Sequence, residues 1–175
     1  MTFITSTMLQ DFMDKHVEDD DSKPDGYCNS AMEMIRDYLG YDPEKQSYKQ
    51  TIRGDNGRVA VLCAMPICAI TAFSVDDIEH DVAEIEVEKE NYIRFADDFV
   101  FRKGSRYLIT FTAGYDPVPE IIKTTALQIA SLFWESAGGN LAVSSTSFAD
   151  TGSRVFNNFT ADRFLKQIAQ FKRIF

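Results

Sequence analysis

Basic charge is scarce in this chain: 18 lysines and arginines stand against 27 acidic residues, a formal net charge of −9. A protein that grips nucleic acid neutralises phosphates with clustered basic side chains, so this balance argues against that class. Cysteine is scarce too. Cys28, Cys63 and Cys68 are an odd number with no framework spacing, and neither histidine lies near Cys63 or Cys68 to complete a zinc site. They read as reduced, buried thiols of a cytosolic setting, with no metal and no cofactor expected.

Long apolar runs are also missing. The longest uncharged stretch, 59–75, falls short of a membrane span and carries Pro66 at its middle. The N-terminus has no basic region, and Asp11 and Asp14 interrupt any apolar stretch, so no signal peptide is expected. Catalytic equipment is equally thin. His16 falls on an apolar helical stripe and His80 in the acidic run 76–81, neither beside a nucleophile. No serine stands in a Gly-x-Ser-x-Gly elbow, and no glycine loop with lysine cradles phosphate. The acidic stretch 18–21 fails as a calcium loop. A loop starting at Asp21 would put Lys23 at its third position and Met32 at its twelfth. The chain is therefore expected not to be an enzyme.

What is present is enough apolar sequence, 45% of 175 residues, for one good core. Thr5, Ser6 or Thr7 can cap a first helix with Met8, Leu9, Phe12, Met13 and His16 on one face. A second helix opens at Pro24 and Asp25, aligns Cys28, Ala31, Met32, Ile35, Tyr38 and Leu39, and stops at Gly40. Gly54, Asp55, Asn56 and Gly57 predict a hairpin turn joining extended segments 48–53 and 58–63. The run 59–75 reads as two buried strands meeting at Met65 and Pro66.

Farther on, Ala83, Ile85 and Val87 alternate with Glu84, Glu86 and Glu88, a half-buried strand with an acidic outer face. A return through Tyr92, Ile93 and Phe95, the segment 99–101, a turn at Lys103 and Gly104, and a strand from Tyr107 complete a small antiparallel sheet. In that last strand Tyr107, Ile109, Phe111 and Ala113 share a face. Gly114 turns the chain, and Pro119 suits the first position of a helix of about 20 residues, roughly 30 Å. In it Ile121, Ile122, Leu127, Ile129, Leu132, Phe133 and Trp134 cover the surface left by Glu120, Lys123, Thr124, Gln128, Ser131 and Glu135. Gly138 and Gly139 end it.

Residues 141–159 show neither helical nor strand period and read as an extended arm. Thr160 caps a last helix aligning Phe164, Leu165, Ile168, Phe171 and Phe175, with Arg163, Lys166, Lys172 and Arg173 among its other residues. The predicted fold is thus α+β and mainly helical: an N-terminal helix pair, a long central helix, an antiparallel hairpin or small sheet, and a C-terminal arm ending in a helix. Residues 1–140 form the main domain and 141–175 the arm.

The strand ending in Ala113, Gly114 and Tyr115, the short turn with Pro117, Val118 and Pro119, and the helix from Ile121 together resemble the head-tail connector (head-completion adaptor) proteins of tailed bacteriophages. The resemblance extends to the two N-terminal helices, the Pro66 and Ile67 step and the basic C-terminal helix. It implies a virion protein of the neck, assembled in the host cytoplasm, forming a ring of about twelve copies. Such a ring sits under the portal, extends the DNA channel without binding the duplex specifically, and offers a docking platform to neck or tail proteins. On that analogy Arg163, Lys166, Lys172 and Arg173 pair with the portal while Phe164, Phe171 and Phe175 bury against it. Some of Glu84, Glu86 and Glu88, or of Asp76, Asp77 and Asp81, become channel-facing residues, their like charge keeping DNA off the wall. The competing readings are a stopper or tail terminator, and a small-molecule-binding or hydrolytic α+β domain.

Overall fold

The computed structural model describes residues 2–15, 22–97, 99–137, 145–148, 152–155 and 161–173. In chain order these carry α1 (Ser6–Met13), α2 (Lys23–Leu39), β1 (Gln46–Arg53), β2 (Val59–Val61), β3 (Ile67–Val75), β4 (Ile78–His80), β5 (Ile85–Lys89), β6 (Tyr92–Phe95) and β7 (Arg106–Ala113). Then come α3 (Glu120–Ala137), β8 (Ser145–Phe148), β9 (Gly152–Val155) and α4 (Asp162–Leu165), which runs on into a 3-10 turn, Lys166–Phe171. Two compact units result: Met1–Tyr38 with Pro119–Phe171, and Leu39–Val118 with Lys172–Phe175.

In the sheet unit, β7 does most of the organising. Tyr107, Ile109, Phe111 and Ala113 are all buried on one face, as their alternation predicts. Antiparallel β1 lies along one side of it, from Gln46 opposite Ala113 to Arg53 opposite Arg106. Antiparallel β3 lies along the other, giving a four-stranded sheet in the order β1-β7-β3-β4. A second, three-stranded sheet has the order β2-β6-β5. The rings of Phe73, Phe95, Phe101 and Tyr107 join the two sheets, with Phe95 and Phe101 centroids 4.8 Å apart and Phe101 and Tyr107 5.0 Å apart. The Tyr107 hydroxyl accepts from the Arg102 N–H at 2.7 Å, so its polar end is satisfied beside that cluster.

Gly114 closes β7 at φ +109, and a Cβ there would stand 2.4 Å from the Glu44 carbonyl oxygen. No other residue type fits that turn without moving the backbone. The Tyr115 N–H donates to Pro43 O at 2.8 Å and the Lys45 N–H to Tyr115 O at 3.1 Å, which pins the start of β1 to the end of β7.

The helical unit follows the sequence in part: on α1 the predicted face has Leu9 buried but Phe12 exposed. Thr5 is the α1 N-cap, its Oγ1 accepting from the Met8 N–H at 3.3 Å, and Leu9 is buried. On α2 the predicted stripe holds except at Tyr38, which is half-buried: Cys28, Ala31, Met32, Ile35 and Leu39 are buried, and Gly40 ends the helix at φ +80. Ile122, Thr125, Ala126, Leu127, Ile129 and Ala130 are buried on α3. Thr125 satisfies its hydroxyl on Ile121 O at 2.8 Å. Both α1 and the final helix pack on α3, the latter burying Leu165 and Ile168.

Several expectations are corrected. The chain is not mainly helical: among the described residues strands fill two antiparallel sheets plus the β8–β9 hairpin, and helix and strand are of similar weight. Local patterns show each extended segment, but the sheet totals depend on pairings distant in sequence. The glycine turn at 54–57 joins no hairpin, because β1 pairs with β7 while β2 pairs with β6. Instead, the turn is stitched to the 101–105 loop by Gly54 N–H to Ser105 O at 3.0 Å and Asn56 N–H to Phe101 O at 2.8 Å. Residues 99–101 are loop, with Phe99 exposed.

The run 59–75 does hold two strands, but they do not meet at Met65 and Pro66: β2 ends at Val61 in one sheet, residues 62–66 with a cis Met65–Pro66 peptide intervene, and β3, in the other sheet, is buried only at Phe73. On β5 only Ile85 is buried, and Val87 is exposed. On α3, Ile121 is exposed and Leu132, Phe133 and Trp134 are half-buried, so its cover is incomplete. The arm, read as aperiodic, contains β8 and β9, paired from Ser145 opposite Val155 to Phe148 opposite Gly152. His16, Glu18, Thr160 and Phe175 lie outside the described residues.

Phe111 is fully buried and stacked on Tyr48 at 5.5 Å. Phe111→Ala is expected to cost about 3–5 kcal/mol in urea unfolding, against under about 0.5 kcal/mol for Phe99→Ala, whose ring is 61% exposed.

Candidate assembly surfaces

The acidic strand is solvated, and its carboxylates are partly engaged. Glu86 pairs with Arg94 across the β5–β6 ladder at 3.0 Å. Glu84, in the 3-10 turn Val82–Glu84 before β5, contacts His80 Nδ1 at 3.2 Å. Glu88 is exposed. The three glutamates share a short exposed segment, but two of them have basic or protonatable partners, so its acidity is weaker than the sequence implies.

More acid lies at the tight turn between β3 and β4, where Asp76 and Asp77 both take positive φ, 49 and 68. Asp76 accepts from the Arg106 backbone N–H at 2.8 Å, and this bond holds its carboxyl below the usual carboxylate range. Asp77 pairs with the Arg106 guanidinium. Two exposed apolar side chains, Ile78 and Phe99, belong to this same unit.

The basic C-terminal residues do not act as one group. Arg163 and Lys166 are exposed on the last helix, and Phe164 and Phe171 are half-buried beside the buried Leu165 and Ile168. Lys172 is exposed, while Lys172 and Arg173 belong to the sheet unit. Arg173 is half-buried: its Nη1 donates to Cys63 O at 2.8 Å and its backbone N–H to Leu39 O at 3.1 Å. An arginine at the final carbonyl of α2 has a structural duty in its own chain.

Sequence reasoning missed that anchor and the clamp beside it. Gln50, on β1, donates from Nε2 to Val61 O at 3.2 Å and accepts at Oε1 from the Cys63 N–H at 2.7 Å. One side-chain amide thereby satisfies backbone groups from the end of β2 onward. The only signal in the sequence was a glutamine at an inward position of an alternating strand. Tyr41 was also missed. Burial, and then the neighbouring Tyr115 hydroxyl, push its phenol well above the usual range.

The thiols differ from expectation. Cys28 is buried and is pushed up to about 11, by burial first and by Asp25 second. Cys63 is half-buried and raised by burial. Cys68 is exposed, not buried, 3.2 Å from Gly114 O. No group of three or more His, Cys, Asp or Glu side chains poised to hold a metal occurs among the described residues. None of their helices is long and apolar enough to cross a membrane.

Comparison with known proteins gives one family and one fold. The family described as head completion protein matches residues 2–148. A chain from the neck of an empty gene transfer agent particle, computed with C6 symmetry, superposes with a TM-score of 0.66 at 14% identity, over 98% of this chain and 90% of that one. Another, from the neck of the native particle computed with C12 symmetry, gives 0.62 at 14%, over 100% and 94%. A third, from the native virion, gives 0.65 at 14%, over 98% and 90%. At such identity the likeness is one of fold. No curated protein matches the sequence.

Two expectations follow. Cys28 is buried and its thiol is pushed up to about 11, while Cys68 is exposed, so a thiol reagent is expected to label Cys68 well before Cys28, measured by mass spectrometry of the folded protein. Arg173→Ala is expected to destabilise the fold by about 1–3 kcal/mol in urea and to speed labelling of Cys63.

Proposed function

The chain belongs to the head completion protein family, and from that membership we propose that it is a structural subunit of the phage neck. It forms a closed ring under the portal, extends the DNA channel and receives the next neck or tail protein. The observation that carries this reading is the family match across residues 2–148, and the fold shared with chains of neck particles computed with C6 and C12 symmetry supports it. About twelve copies joined head to tail fit a ring of that symmetry. Assembly takes place in the host cytoplasm, and the finished position is the virion neck.

The arm, 141–175, is the portal-facing part. Arg163 and Lys166 are its exposed cations, with Phe164 and Phe171 half-buried next to them. Exposed cations and partly covered aromatic rings on one segment fit an acidic, partly apolar receiving surface. Lys172, in the sheet unit, is exposed as well. Arg173, with its bond to Cys63 O, serves by holding the end of the chain to its own domain. Phe175 completes the proposed set.

Glu84, Glu86 and Glu88 are proposed to line the channel, where Glu88 supplies the uncompensated charge that repels duplex phosphates. No reaction is required of any of these groups.

Removing 160–175 would not test the docking step cleanly, because Leu165 and Ile168 are buried. Point variants serve instead. Purified chain mixed with portal rings is expected to add one layer in negative-stain images. The double variant Arg163→Glu with Lys166→Glu is expected to lose that layer while keeping its unfolding midpoint, and retained binding would refute the docking surface.

A further inference from the structure

Sheet edges left unpaired invite pairing with another chain, and proteins usually guard them with charge, brevity or cover. Four edge strands of the two larger sheets are guarded in that way. Lys49 and Arg53 lie on β1, Glu86, Glu88 and Lys89 on β5, and β2 and β4 are each three residues long. One stretch of an interior strand differs. β3 pairs with β7 along its length, but β4 covers only Phe73, Ser74 and Val75 on the other side. Ile67 is taken by Glu90 O at 2.8 Å. Among the described residues, no backbone group hydrogen-bonds to the outer side of residues 68–72.

That tract, Cys68, Ala69, Ile70, Thr71 and Ala72, carries no charge, and all but Ile70 are exposed. Two bulges divide it, and side chains stitch them to β7: Cys68 Sγ lies 3.2 Å from Gly114 O, and Thr71 Oγ1 donates to Thr110 O at 3.1 Å. The stretch is fixed and short, its side chains are mostly exposed, and the 3-10 turn Val82–Glu84 also packs against β3.

Elsewhere the chain holds the complementary deficiency. Among the described residues, β8 and β9 form a two-stranded sheet with no third strand. A hairpin by itself is marginal in water and gains its stability from a further strand or packing surface. Each of its strands has four residues, close to the length of the bare tract.

We propose that residues 68–72 of β3 receive the β8–β9 hairpin of a second copy, which adds an antiparallel or parallel strand to the four-stranded sheet. Hairpin and edge are different surfaces, so the contact is heterologous: every copy both gives a hairpin and receives one. Repetition about an axis closes a ring, and this step rests on the ring reading above. Main-chain hydrogen bonds supply the join, and small side chains at Ala69 and Ala72 leave room for it.

Cross-linking in the full-length chain tests the contact. Single variants Ser145→Cys, Ser147→Cys and Ser153→Cys, oxidised at high protein concentration, are expected to form a disulfide between the new cysteine of one copy and Cys68 of another. At least one position should give a ladder of three or more chains on a non-reducing gel, with the linked peptides identified by mass spectrometry. Adding Ala69→Lys and Ala72→Lys, both at exposed sites, is expected to cut that ladder at least ~10-fold without altering the unfolding midpoint. No Cys68 link at any position, a link confined within single chains, or a ladder indifferent to the two lysines overturns the proposal. Images of the same samples before oxidation report ring formation separately. Rings without the link sink only the hairpin contact, and a link without rings sinks the ring reading.

Discussion

The rest of the sheet unit depends on one strand being held on both sides and then stopped. β7 buries Tyr107, Ile109, Phe111 and Ala113, takes β1 and β3 as antiparallel neighbours, and ends at a glycine that no side chain can replace without a clash with Glu44. Each of these features constrains the others. Moving the register by one residue would turn the four buried side chains outward, and the Gly114 turn fixes where the ladder must end. Past that turn the chain enters α3, whose buried face opens the helical unit's core. The Ala-Gly-Tyr sequence is informative for this reason: it marks a place where strand register and backbone turn are set together.

Much of that was legible in the sequence because it is local. The α2 stripe, the Thr5 cap, the stop at Gly40 and the alternation along β7 each depend on residues within a few positions of one another. What could not be read was which strand lies beside which. Gly54 to Gly57 carries every sign of a hairpin turn, yet its flanking strands go to different sheets, because β1 finds in β7 a longer partner. Burial was misjudged on β3 for a related reason. Its β-branched and apolar residues describe a strand, but whether both faces are covered depends on what packs there, and most of 67–72 is left open. The reading of the chain as mainly helical erred in the same direction: it counted helices by their strong periodicity and underweighted short strands.

Of the candidate surface residues, the sequence located positions but not duties. Arg163 and Arg173 look equivalent in a basic helix, yet one is exposed and the other is half-buried against the backbone of Leu39 and Cys63. Glu84, Glu86 and Glu88 look like a uniform acidic face, yet Arg94 and His80 engage two of them. Side-chain partners across a ladder or from a chain terminus are invisible to periodicity. The same holds for Gln50, whose amide stands in for a neighbouring strand. These polar contacts guard some edges of the sheet unit and leave 68–72 bare, so selective guarding carries the assembly argument more than any cluster of charge.

The central claim is that this fold acts only by repetition about an axis, between a portal and a tail. Cryo-electron microscopy of the neck in assembled particles tests it most directly. The account predicts a closed ring built of copies of this fold in a single layer below the portal, with acidic β5 toward the channel and the last helix toward the portal. A neck lacking this chain, or holding it as one unrepeated copy, would contradict the account.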